Sequence, residues 1–205
     1  LNNLSKSIDL AYFINKDNII KQNFNFKTIA FTFRALTVGD LLEMDQNQKN
    51  MIHDKIALII NEFNSTCGLT FVIQSLKDKE FTLKLKNIFE KTYNIKIDVF
   101  ESYDPLELIK FYNNIDVLIG MRLHSIILAT SVGTPCYGLF FDEWGLKNPG
   151  TLETFELPYC IIDKGDSIDI DRINLLISKG VQFNESSKKL IDDELSKIKK
   201  EIVSI

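Results

Sequence analysis

Metal-binding and redox chemistry have little to work with in this sequence. It holds three cysteines, Cys67, Cys136 and Cys160, and no CxxC pair. An odd, scattered set is neither a disulfide framework nor a zinc site. Cys136 and Cys160 sit in apolar, strand-like runs and read as small core residues. Histidine is scarcer still: His53 and His124 are too few for a histidine-rich metal site. No apolar stretch approaches the ~20 residues that span a bilayer, and the opening residues carry no secretory-leader pattern. Basic residues are not in excess, since 24 Lys plus Arg stand against 28 Asp plus Glu for a net charge of −4. That balance argues against a general nucleic-acid binder, whose phosphate contacts need a basic surplus; it leaves room for a local basic pocket. GxGxxG, GxxxxGKS/T and GxSxG are all missing, so the dinucleotide, P-loop and serine-hydrolase readings lack their key parts.

What is present is an ordinary globular composition over 205 residues, 45% apolar and 25% charged, enough for one sizeable core and marginal for two. Strand-like and helix-like runs alternate. β-branched and aromatic runs at 27–34, 69–74, 95–101, 115–120 and 134–141 read as strands, with a further one at 158–163. Helical periodicity marks 48–64, 79–93, 103–114, 122–133 and 186–205. The helix at 103–114 has start chemistry of its own: Asp104 to cap, Pro105 for the first turn and Glu107 at the capping-box place. The run at 115–120 is apolar throughout, as expected of a strand buried on both faces. Alternation of this kind means repeated βαβ units, and the expected fold is a doubly wound, mostly parallel α/β sheet with helices on both faces.

In such sheets ligands sit beyond the carboxyl ends of the strands. Arg34 follows the first strand, Arg122 and His124 the fourth, and Asp142 the fifth. The segment 115–139 is the most informative. Gly120 permits a sharp exit from a buried strand, and a helix starting near Arg122 turns its first backbone N–H groups toward that edge, an anion site by construction. An arginine there offers a bidentate fork for phosphate or carboxylate, and a histidine can give or take a proton near neutral pH. Each residue also has a plainer role. His124 can be a hydrogen-bonded structural residue; Arg122 can pair with Asp116 or Glu101; Arg34 can be solvated or salt-bridged; Asp142 can cap a turn. His53, inside an amphipathic helix, reads as structural or exposed.

The run DVLIGMRLHSIILATSVGTPCYGL, with GMRLHS at 120–125 and GTP at 133–135, resembles the signature region of the polysaccharide pyruvyl transferases. The strand IAFTFR ending in Arg34, the approach DPLELIKFYNN and the aromatic–Asp pair at 141–142 fit the same pattern, so the resemblance covers most of 5–160. It departs at 143–151, where EWGLKNPGT stands where the family often has a nearby lysine, leaving Lys147 as the counterpart. The resemblance implies the C-terminal, Rossmann-like half of a GT-B-like two-domain enzyme that moves a pyruvyl group from phosphoenolpyruvate to a sugar of a cell-surface polysaccharide or its precursor. On that resemblance His124 and Arg122 are catalytic, and Arg34, Leu123, Ser125, Asp142 and Lys147 bind substrate. No cofactor or metal is expected. The chain opens on Leu1 mid-pattern, so residues 1–25 are expected to be an interdomain linker from a missing N-terminal domain, 26–185 the donor-binding domain and 186–205 a C-terminal amphipathic helix. The expected partners are phosphoenolpyruvate and a free or lipid-linked glycan, in the cytoplasm with peripheral contact at the inner membrane face. Two other readings stay open: a GT-B glycosyltransferase or sugar epimerase using a nucleotide-sugar, and a non-catalytic module that binds a glycan or a protein.

Overall fold

Period-two alternation in the strands builds two cores on opposite faces of one sheet. The computed structural model describes residues 10–14, 27–36, 43–179, 185, 189–194, 196–197 and 200. Six strands, β1 (Lys27–Thr32), β2 (Cys67–Ile73), β3 (Asp98–Glu101), β4 (Val117–Gly120), β5 (Cys136–Phe140) and β6 (Tyr159–Ile161), form a sheet in the order β3-β2-β1-β4-β5-β6. Every pairing is parallel. This is the doubly wound, Rossmann-like class expected from the sequence, and its strand order reverses direction between β1 and β4. On and just after β1, Ile29, Phe31 and Phe33 enter one core, with Val117, Ile119 and Met121 beside them on and just after β4. Ala30 and Leu118, the alternate residues, enter the other.

Helices α1 (Gln46–Phe63), α2 (Leu76–Tyr93) and α6 (Ile170–Ser178) cover the first core. Helices α3 (Pro105–Tyr112), α4 (Leu123–Ser131) and α5 (Lys147–Thr154) cover the second. Local chemistry starts them. Asp45 accepts from the Gln48 N–H at 2.8 Å while the Gln48 side chain accepts from the Asp45 N–H at 3.0 Å, a reciprocal cap on α1. Asp104 caps α3 by accepting from the Leu106 N–H at 2.8 Å. The expected Glu107 half of that capping box is rerouted: the Asp104 N–H donates to Ser102 Oγ at 3.2 Å, and Ser102 donates to Glu107 at 2.6 Å.

Two helices depart from the sequence expectation. The loop expected at 143–151 contains the start of α5, because Pro149 and Gly150 fall in its first turn, where a missing N–H costs nothing. No element was expected at 170–178, where Asp169 caps α6 through the Arg172 N–H at 2.9 Å. Other shifts are at boundaries: β3 begins at Asp98 rather than 95, and α4 begins at Leu123, so that Arg122 is its N-cap. The segment read as a linker contributes a 3-10 turn at Leu10–Phe13, whose Tyr12 is buried against α4 and lies 5.1 Å from the Phe155 ring. Of the expected terminal helix, residues 189–194 are helical and Leu190 and Ile191 pack on the second core, while Leu195, Ile198 and Ile202 lie outside the described residues. Among the described residues no helix is long and apolar enough to cross a membrane.

Candidate functional site

The reversal of strand order opens a crevice at the carboxyl ends of β1 and β4, because α1 leaves β1 over one face and α4 leaves β4 over the other. Gly120 ends β4 under α4. A Cβ there would lie 2.8 Å from Ile126 Cγ1, so only glycine lets the helix start this close to the strand. The chain then passes Met121, hydrogen-bonded from its N–H to Thr32 O at 3.1 Å, and enters α4 at Arg122. The first turn of α4 thus stands beside the end of β1, with the helix dipole adding to its orphan N–H groups.

The two arginines of this edge are held in different ways. Arg122 donates through Nε and Nη2 to the carboxylate of Asp78, the latter bond at 2.8 Å, and Asp78 Oδ1 also accepts the Ala35 N–H at 2.9 Å. Asp78 lies in the first turn of α2 and is only 2% exposed. One carboxylate therefore ties together the chain after β1, β2 and β4. The partners named from sequence are engaged elsewhere: Asp116 pairs with Lys27 at 3.2 Å and accepts the Thr28 N–H, and Glu101 pairs with Lys79 at 2.7 Å. Arg34, half-buried, lies with its guanidinium carbon 4.6 Å from the ring centroid of Trp144. Trp144 ends a 3-10 turn, Asp142–Trp144, that follows β5.

The other sequence candidates fall around this crevice in distinct environments. His124 is exposed in the first turn of α4, Leu123 is half-buried and packs on the second core, and Ser125 is fully buried beneath the turn. Burial leaves the Ser125 side chain without solvent access. Asp142 is exposed, pairs with Lys164 at 2.6 Å and donates its backbone N–H to Asp163 Oδ1 at 2.9 Å. That ion pair raises the Lys164 ammonium above its ordinary value. The lysine brought to Asp142 is thus Lys164, while Lys147 stands exposed at the start of α5. Glu143 reaches the other way and accepts from Gln48 Nε2 at 3.1 Å, joining the turn to the start of α1. His53 lies away from the crevice, stacked 4.9 Å from Phe89 with Nδ1 3.1 Å from Asp54.

Asp78 and Trp144 escaped the sequence reading. Both sit just after strands, as the edge rule requires, but Asp78 lies in the charged run SLKDKE among residues that look like a solvated helix face. An acid in the first turn of a helix on the same edge as two arginines was the available signal.

Among solved structures, the chain is similar to a variant of the O-GlcNAc transferase of Thermobaculum terrenum, with a TM-score of 0.52 and 13% identity over 91% of this chain. At that identity the likeness is one of fold, and it agrees with the expected GT-B-like class. The chain spans 38% of the length of that enzyme. No curated protein matches it. The family model described as polysaccharide pyruvyl transferase matches residues 7–139, a span that contains Arg34, Asp78, Arg122 and His124 and stops before Trp144 and Lys147.

Proposed function

The chain belongs to the polysaccharide pyruvyl transferase family, and from that premise we propose that its β1–β4 crevice binds phosphoenolpyruvate and delivers the pyruvyl group to two hydroxyls of a sugar. The family is one of transferases and implies a polysaccharide acceptor. One observation supports the donor assignment: Arg34 and the first turn of α4, which bears the GMRLHS run, follow the paired strands β1 and β4 at the strand-order reversal. Phosphoenolpyruvate carries a phosphate and a carboxylate. A guanidinium fork and a helix N-terminus offer one anion-binding group for each.

The chemistry follows from the donor. His124, exposed in the first turn of α4, acts as the general acid. Its proton goes to C3 of the enol, the C2=C3 electron pair forming the new C–H bond and leaving a cation-like centre at C2. A sugar hydroxyl attacks C2 and loses its proton. The C2–O bond to phosphate then breaks, phosphate departs with that electron pair, and a second hydroxyl of the sugar attacks C2 and gives its proton to the departing phosphate, closing the ketal. Fixed donors on the phosphate stabilise the charge it takes away. Arg122 commits two donors to Asp78, so in this reading it fixes the start of α4 and adds its charge to the crevice. Asp142 and Lys147 flank the side from which an acceptor approaches. No metal or cofactor enters these steps. The proposed setting is the cytoplasm, with peripheral membrane contact where the glycan is lipid-linked.

The test is the reaction in deuterium oxide with an acceptor polysaccharide. Each ketal formed should release one inorganic phosphate, and its methyl group should carry one solvent deuterium. The nucleotide-sugar reading, which has the fold likeness behind it, predicts release of a nucleoside phosphate from a nucleotide-sugar and no phosphate from phosphoenolpyruvate.

A further inference from the structure

Trp144 is the sole tryptophan of the chain, and it sits where the two cores of the sheet meet, packed partly buried against both. Its ring is 5.3 Å from that of Phe141 in an edge-on arrangement, and the Arg34 guanidinium lies over it at 4.6 Å. The turn that presents it is fixed at three points. The Trp144 N–H donates to Phe141 O at 3.1 Å; the Gly145 N–H donates to Asp142 O at 3.0 Å; Glu143 is tied to Gln48 on α1. Gly145 then reverses the chain at φ 74° and ψ −174°, a conformation that side chains avoid. The indole N–H is buried and has no hydrogen-bond partner among the described residues. Packing alone would be served as well by phenylalanine, without that buried donor. What tryptophan adds is the largest and most electron-rich ring face for a cation.

We propose that Trp144 is a positioning residue for the donor site: it holds the Arg34 guanidinium by its ring face at the crevice, so that the fork is aimed before phosphoenolpyruvate arrives. This inference rests on the donor reading given above. Trp144 lies in the 143–151 stretch, beyond the span of the family match.

The sole tryptophan supplies its own probe. Titration of the intact chain with phosphoenolpyruvate should change tryptophan emission saturably, with the midpoint that calorimetry gives, and Arg34→Ala should abolish both signals. Trp144→Leu, which keeps apolar bulk without a ring, should weaken calorimetric binding by about 5- to 30-fold and raise KM for phosphoenolpyruvate with kcat within about twofold. Trp144→Tyr should restore binding to within about threefold of wild type, while the two variants unfold at similar temperatures; a merely structural role would move stability and not this split. Equal binding by wild type and Trp144→Leu, or binding by wild type with no change in emission, overturns the inference and leaves the donor reading standing. Absence of calorimetric binding by wild type overturns the donor reading and the inference with it.

Discussion

Replacing Asp78 should cost this domain more than any single change on its surface. The carboxylate accepts from Arg122 Nε, from Arg122 Nη2 at 2.8 Å and from the Ala35 N–H at 2.9 Å. The Asp78 side chain is 3% exposed and that of Arg122 15%. Asp78→Asn leaves a mostly buried guanidinium without its counter-charge, a loss of about 3–5 kcal/mol. For a domain of this size that lowers the unfolding midpoint by about 6–20 °C. The double variant Asp78→Leu/Arg122→Met removes both charges together and orphans the Ala35 N–H, a residual loss of about 1–3 kcal/mol. Thermal or urea unfolding of wild type, Asp78→Leu, Arg122→Met and the double variant closes the cycle. A single variant that loses less than about 1 kcal/mol, or a double variant whose loss equals the sum of the singles, refutes the tie.

His124→Ala should lower transferase activity by about 10²–10⁴ while moving the unfolding midpoint little, because the side chain is exposed; pairing the phosphate-release assay with calorimetry checks both halves. Gly120→Ala places a methyl 2.8 Å from Ile126 Cγ1, which should destabilise by about 1–3 kcal/mol in a urea titration and shift the start of α4. Burial pushes the Cys136 thiol well above its ordinary value and the Cys160 thiol up to about 11, and raises Cys67 as well. A raised thiol holds less thiolate at pH 8, so a disulfide reagent should label half-buried Cys67 first and the two buried cysteines only with unfolding or at higher pH; mass mapping of the labelled native chain reads the order.

The sheet was legible because its signals are local and redundant. Apolar runs such as 115–120 and 134–141 have one buried fate, and strand–helix alternation admits one economical topology. The crevice followed from the same logic, since an edge rule that needs no contacts placed Arg34, Arg122 and His124 on one side. Pairings were not legible. Arg122 and Asp78 are 44 residues apart, and sequence spacing cannot rank Asp78 above Asp116 or Glu101 as its partner. The Arg34–Trp144 contact depends on a 3-10 turn and a positive φ at Gly145, geometry that the string EWGL does not announce. The helix at α5 was hidden by Pro149 and Gly150, residues that punctuate loops in most settings and here fall in a first turn.

Thermal unfolding of this chain with saturating phosphoenolpyruvate, beside Arg34→Ala under the same conditions, tests the central claim most directly. At 100 times the dissociation constant, binding adds about 2.7 kcal/mol, or about 5–11 °C for a domain of this size. The donor site at the β1–β4 crevice predicts that shift in wild type and its loss in Arg34→Ala. A wild-type midpoint unmoved by phosphoenolpyruvate, or one raised equally in both proteins, contradicts it.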